Sequence, residues 1–190
     1  MSDPLSPIFA GARETLLKKG ETLFRSGDPV TRMYGVLSGR VDLARVTQNG
    51  GDLVFQVAES DAVIAEASAY SDVYHCDAVA IEPSKVRSVL LETFFARLER
   101  QPRLQGAWSR HLAQGLQSAR FLAEIRTLHT VAARLDAWLA QGREIPVKGE
   151  WQNLASSLGV SREALYRELS KRRRRRGVGK PDRAQRKVHR

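Results

Sequence analysis

Arg162, Glu163 and Arg167 stand within six positions of one another in the run Leu158-Gly-Val-Ser-Arg-Glu-Ala-Leu-Tyr-Arg-Glu-Leu169. Guanidinium groups bond bidentately to O6 and N7 of guanine, and a carboxylate accepts from the amino group of cytosine. Placed together on one helix face, the three suit direct reading of G·C base pairs. Ser161 precedes them and can cap the helix through its hydroxyl, while Leu165 and Leu169, at i and i+4, return to a core. The alternative is an ordinary solvated helix in which Glu163 pairs with Arg167 one turn on.

The residues before this run supply what such a helix needs to be held outward. Leu154 and Leu158 lie one turn apart, Ala155 is small enough to sit where two helices cross, and Gly159 can take the left-handed conformation that ends the first helix. Val160 fills the corner, so the spacing predicts a helix-turn-helix over residues 151–169. Directly after it comes a charge run. From Lys171 to the end there are eleven Lys or Arg against one acid, Asp182, so this stretch carries the whole net charge of +10 and residues 1–170 sum to zero. Lys171, Arg172, Arg173 and Arg174, with Ser161, are the candidates for phosphate contacts, which release counterions and make binding fall steeply with salt. A lone basic tail can also be solvated and disordered; adjacency to the helix favours double-stranded DNA as the partner.

Upstream, short strands broken by glycine are expected at Thr22 to Phe24, Met33 to Leu37, Val41 to Val46, Leu53 to Val57 and Cys76 to Ile81, with Gly20, Gly27, Gly39 and Asn49-Gly50-Gly51 as the turns. The spacing argues for an antiparallel barrel or roll. Helical periodicity begins after about residue 88, where Val89, Leu90, Phe94 and Leu98 predict a short helix ending near Pro102. A long helix follows, from Leu104 to Arg126, on which Leu104, Trp108, Leu112, Gly115, Ala119, Leu122 and Ile125 form one stripe. The stripe predicts a homodimer seam; its alternative use is packing on the chain's own roll. A further helix spans Thr130 to Gln141, stopped by Gly142, and residues 144–149 read as a strand or turn.

Composition limits the other readings. With 42% hydrophobic and 27% charged residues the chain can bury a core, so disorder is not its main state. No apolar run reaches the roughly 20 residues of a membrane span, no signal peptide is read at the N-terminus, and one cysteine, Cys76, permits no intrachain disulfide. A cytoplasmic protein with no membrane partner is expected. No hydrolase elbow, phosphate loop, metal-ligand spacing or nucleophile–base pair is present, which argues against an enzyme.

The recognition segment resembles that of the cyclic-AMP receptor protein and fumarate-nitrate regulator (Crp/Fnr) family of bacterial transcription regulators. Gly20-Glu-Thr-Leu-Phe-Arg-Ser-Gly27-Asp28, Tyr34-Gly-Val-Leu-Ser-Gly39 and the strand after Asn49-Gly50 are similar to the family's cyclic nucleotide-binding-type β-roll. The resemblance implies that Arg162, Glu163 and Arg167 read bases and that the long helix mediates dimerisation. It also exposes departures. The family's pocket uses a glutamate for the ribose and, ten and eleven positions later, an arginine and a serine or threonine for the phosphate. Here Glu66 is followed at those positions by Cys76 and Asp77, and an aspartate facing a cyclic phosphate repels it. Ala65 and Glu59-Ser60-Asp61 replace glycine-bearing turns. Glu66, Cys76 and Asp77 therefore remain effector-pocket candidates, with cyclic AMP not expected to gate the protein. Residues 177–190 hold little to build the family's β-hairpin wing, and Glu168 stands where an apolar residue is common.

The expectation is an α+β chain: a β-roll over residues 1–103, a dimerisation helix over 104–127, a winged-helix-like helix-turn-helix domain with a degenerate wing over 128–176, and a basic, disordered tail over 177–190. It implies a homodimer on a palindromic DNA site, with RNA polymerase admitted as a further partner and the effector unidentified. No cofactor and no metal are predicted. The alternative is a haem, redox or small-molecule sensor acting through the roll. His75 and Cys76 invite that idea, but neighbouring strand residues point to opposite faces and can hardly ligate one metal together.

Overall fold

The computed structural model describes residues 4–46 and 52–177. The Asn49-Gly50-Gly51 turn and all but the first residue of the expected tail lie outside them. The chain divides into two compact units, Met1–Gln117 and Ser118–Arg190.

The first unit is built from two four-stranded antiparallel sheets. One runs β1 (Arg13–Leu17), β8 (Ser84–Leu90), β3 (Arg32–Ser38), β6 (Val63–Ile64); the other runs β2 (Thr22–Phe24), β7 (Asp77–Ala80), β4 (Val41–Val46), β5 (Asp52–Ala58). Alternation along the strands turns Val36, Val41, Leu43, Ala58, Ala78, Ala80 and Val86 into a common interior. Phe24 and Tyr74 stack there with ring centroids 3.7 Å apart, and the Tyr74 hydroxyl donates to the Arg32 carbonyl at 2.6 Å. The interior is thus occupied by the chain's own side chains. Gly39 closes the β3–β4 turn at φ +82°, where a Cβ would come within 2.6 Å of the Pro83 carbonyl oxygen, so only glycine fits.

The five expected strands all form, within a residue or so of their predicted ends. The sequence pattern does not signal β1, β6 and β8, and Val89 and Leu90 belong to β8 rather than to the helix that follows, α1 (Leu91–Arg100). The reason lies in β8's inward positions. Ser84 and Ser88 are buried there, where apolar residues would have revealed the two-residue period.

A second core joins α1 and the first turns of α2 (Pro102–Thr127) to the outer face of the β1–β8–β3–β6 sheet. Phe94, Leu98, Leu104 and Trp108 pack there with Ile8, Phe9, Met33 and Val89. Trp108 is 1% exposed and donates from Nε1 to the Tyr70 hydroxyl at 2.8 Å. Leu104 and Trp108 therefore serve the chain's own first unit, which corrects their assignment to an intersubunit seam, while Leu112 packs at its edge and stays half-buried. They lie on the helix face turned toward the sheet, and one stripe could not distinguish the two uses.

The second unit holds the end of α2, then α3 (Val131–Ala140), α4 (Trp151–Leu158) and α5 (Arg162–Gly177). Ile125, Leu135, Trp151, Leu154, Ala155, Leu158, Leu165 and Leu169 form its core. Ile125 is consequently also removed from the seam. Thr130 Oγ1 caps α3 by accepting from the Ala133 amide at 3.0 Å, and Gly142, at φ +72°, stops it. Residues 144–147 form no strand. Instead the Trp138 and Trp151 indoles donate to the Glu144 and Pro146 carbonyls at 3.1 and 2.9 Å and pin the segment. Among the described residues, no helix is long and apolar enough to cross a membrane.

Candidate nucleic-acid interface

The corner between α4 and α5 is made locally. Gly159 adopts φ 64°, ψ 42°, and the Val160 amide turns back to donate to the Ala155 carbonyl at 3.0 Å, ending α4. Ser161 Oγ accepts from the Ala164 amide at 3.2 Å, starting α5 after a break of three residues. Leu158 and Leu165, one on each helix, are both fully buried and lock the pair. Deleting either side chain to alanine would cost about 2–5 kcal/mol by the usual cavity relation.

This geometry leaves Arg162, Glu163 and Arg167 exposed on the first two turns of α5. Arg162 leans over the Tyr166 ring, 5.2 Å from its centroid, and Tyr166 in turn meets Trp151 edge to face at 4.7 Å. The Glu163 carboxyl is held below its ordinary range by its own backbone amide first, then by the Ser161 hydroxyl, with the charges of Arg162 and Arg167 adding to the effect. Its partners are thus at the helix start, and among the described residues no ion pair joins it to Arg167. Arg167 stands between two shallow grooves, one toward Ser170, Lys171 and Arg174, the other toward Thr130 and Val131 at the start of α3.

Of the basic residues that follow, Lys171, Arg173 and Arg174 are exposed, and Arg173 rests 5.8 Å from the Trp151 ring centroid. α5 carries them as a continuation of one 16-residue helix, roughly 24 Å long at 1.5 Å per residue. Arg172 is different. It turns inward to Asp136 and Glu168, each at 2.7 Å, and so leaves the set of phosphate candidates. Glu168, unusual as a polar residue at that position, is the near half of this clamp. Sequence reasoning missed Asp136 and Arg134, both on α3; Asp136 meets Arg172, and Arg134 meets the Leu158 and Gly159 carbonyls, all more than twenty positions away, and no local spacing signals such contacts.

The effector-pocket candidates are engaged with the roll. Glu66 opens a 3-10 turn (Glu66–Tyr70) after Ala65, which sits in the left-handed region at φ 53°. Gln56 fixes both: its Nε2 donates to Glu66 Oε2 at 2.9 Å, and its Oε1 accepts from the Ala65 amide at 3.2 Å. Cys76 is buried in the roll's interior, and that burial pushes its thiol pKa up. Asp77 Oδ1 accepts from the Ser26 amide at 2.8 Å. His75 and Cys76 lie in a bend just before β7 rather than in a strand, and there His75 is exposed, with Nε2 3.2 Å from Ser71 Oγ, while Cys76 is buried. Among the described residues, no group of three or more His, Cys, Asp or Glu could hold a metal ion.

On α2, Gly115 and Ala119 are exposed and Leu122 half-buried. Leu116, which the stripe did not include, is 52% exposed beside them.

The cyclic nucleotide-binding domain family matches residues 14–101, the strands of the roll and α1. The global nitrogen regulator of Nostoc sp. is 26% identical over 168 residues, which cover 80% of this chain and 74% of that protein. FixK2 from Bradyrhizobium japonicum has the same fold at a TM-score of 0.70 and 19% identity, over 86% of this chain and 85% of that one. The c-di-GMP-responsive global regulator CLP of Xanthomonas campestris gives a TM-score of 0.66 at 20% identity, over 90% and 91% of the two chains. Roll and helices together have the fold of these regulators, built on a cyclic nucleotide-binding-type sensor domain. The chain is thus similar over most of its length to regulators of the Crp/Fnr type, with the cyclic nucleotide-binding domain match confined to residues 14–101.

Proposed function

We propose that the protein is a homodimeric, sequence-specific DNA-binding regulator in which α4 and α5 form the helix-turn-helix of a winged-helix-like domain. In this reading each α5 enters the major groove of one half-site of a palindrome. The observation that carries the reading is the sidedness of α5. Leu165 and Leu169 are buried on one face, while Arg162, Glu163 and Arg167 stand exposed on another with the donor and acceptor groups that G·C pairs require. Lys171, Arg173 and Arg174 supply phosphate contacts from the same helix. The exposed stretch of α2 around Gly115, Leu116 and Ala119 favours a second copy of the chain as its partner, since small residues let two backbones approach closely. The two heads would then meet half-sites about 34 Å apart, one turn of B-DNA.

Cyclic AMP is not the gate in this reading. The position that would face its phosphate is the buried, neutral Cys76, and the next residue is an aspartate. Selection of bound duplexes from a random pool, followed by gel-shift titration, tests the proposal. A selected palindrome should bind at least about a thousandfold tighter than random duplex of equal length. Equal affinity for both would overturn sequence-specific reading.

A further inference from the structure

We infer that Arg134 is the positioning residue of the reading corner: its single guanidinium joins the C-terminal end of α2 to the C-terminal end of α4 and so sets the direction in which α5 leaves Gly159. The inference rests on the function proposed above and adds what holds and moves the reading helix.

Arg134 lies in the first turns of α3 and is half-buried. Its Nη1 donates to the Leu158 carbonyl at 3.0 Å and the Gly159 carbonyl at 2.7 Å. Its Nη2 donates to the Arg126 carbonyl at 2.9 Å, and its Nε to the Leu128 carbonyl at 2.8 Å. The first two acceptors are the last carbonyls of α4 and its cap; the other two belong to the final turn of α2 and the residue just past it. Each helix end has carbonyls with no partner inside its own helix and carries the negative end of the helix dipole. Two such ends brought together would repel and leave acceptors unsatisfied. A planar cation with five donors in fixed directions answers both at once.

Arg126 reinforces the joint from the other side. Its Nη2 donates to the Ser156 carbonyl at 3.3 Å, and its stem lies against Gly159, where a Cβ would come within 3.1 Å of Arg126 Cγ. The corner is therefore held by one arginine from the last turn of α2 and one from α3. α2 begins in the first unit and ends in the second. A change in the position of its last turn therefore reaches Gly159 through these two side chains. Lysine cannot replace Arg134, because its ammonium is a point charge that can serve one helix end but not both at these directions.

The test uses the full-length protein and three variants, Arg134→Lys, Arg134→Ala and Arg126→Met. Thermal unfolding establishes that each folds, and binding is titrated on a selected and a random duplex at several salt concentrations. Arg134→Lys should keep the salt slope on random duplex, which depends on the untouched phosphate contacts, while its selected-to-random affinity ratio falls about tenfold. A role in stability alone would lower the unfolding temperature and leave that ratio unmoved, and this outcome overturns the inference. Should neither Arg134 variant fold, Arg126→Met carries the test: a ratio about threefold below the parent supports the joint, and an unchanged ratio overturns it. If the parent protein shows no preference between duplexes, the DNA-reading proposal itself fails. Amide exchange at Val160 then decides the joint separately. Its bonded amide should exchange about tenfold faster in Arg134→Lys relative to amides within α3, and equal rates overturn the inference.

Discussion

Arg172 on α5 donates from Nη1 to Asp136 Oδ1 on α3 at 2.7 Å. The same guanidinium reaches Glu168 Oε1 at 2.7 Å and the Ala132 carbonyl at 3.0 Å, so each of its three nitrogens donates within the protein. The second residue of a run of basic side chains is thus a strut that holds α5 to α3. This places it outside the electrostatic surface presented by its neighbours.

Arg172→Ala should destabilise the second unit by about 1 kcal/mol, a small value because Asp136 is 66% exposed and water screens the pair. Its salt dependence of DNA binding should match the parent's. Arg174→Ala should do the reverse, with little effect on unfolding and a slope of log affinity against log salt shallower by about 0.9 for each phosphate that is no longer neutralised. Thermal denaturation and titrations at three or more salt concentrations separate the two. A shallower slope for Arg172→Ala would contradict the inward role.

Arg167 has no ion pair among the described residues and stands between the two shallow grooves of α5. Arg167→Ala should relax preference at one base position of each half-site by about 1–3 kcal/mol while leaving binding to random duplex nearly unchanged. Repeating the selection from a random pool with the variant measures this directly. A uniform loss over all sequences would make Arg167 a phosphate contact instead.

Much of this architecture was legible because it depends on local chemistry. Gly159 must take positive φ, Ser161 must cap, and Leu158 and Leu165 must meet across a short turn; each demand is met by a residue near in sequence. What stayed hidden depends on distance. The Arg172–Asp136 pair spans 36 positions, and the Leu158 and Gly159 carbonyls held by Arg134 lie 24 and 25 positions away. The stripe on α2 failed for another reason. An apolar face records burial without recording by what, and here Leu104 and Trp108 are buried by the first unit and Ile125 by the second. Strand β8 was obscured by serines at buried positions, a pattern that hydrophobic periodicity cannot register.

Glu163 titrates where it can be seen by both folding and recognition. Its carboxyl lies below the ordinary glutamate range because its own amide and the Ser161 hydroxyl bond to the charged form. A depressed carboxylate contributes its stability fully above the unfolded value of about 4.3 and loses it as pH falls through the lower folded value. The helix start should therefore weaken only in acid. Ser161→Ala should move the Glu163 midpoint upward toward the unfolded value, measured by following its side-chain carboxyl resonance with pH. A midpoint that does not move would show that the hydroxyl has no part in holding the charge.

Cys76 and Asp77 together make the roll's ligand chemistry testable. Burial raises the Cys76 thiol first, the nearby charges of Asp77 and Glu66 raise it further, and Arg45 opposes them. Because the thiolate is the reacting form, the folded protein should react with an aromatic disulfide reagent far more slowly than the unfolded chain. The same arrangement offers a cyclic phosphate no cation at either position where the family places its phosphate partners, and Asp77 is already fixed to the Ser26 amide. Ligand at a hundred times its Kd would stabilise the fold by about 2.7 kcal/mol, a shift of several degrees in the melting of the first unit. Addition of millimolar cyclic AMP should produce no such shift, and thiol reactivity should likewise be unchanged by it. A melting increase that saturates with cyclic AMP, accompanied by protection of Cys76, would place the nucleotide in the roll despite the missing arginine and require a different phosphate partner.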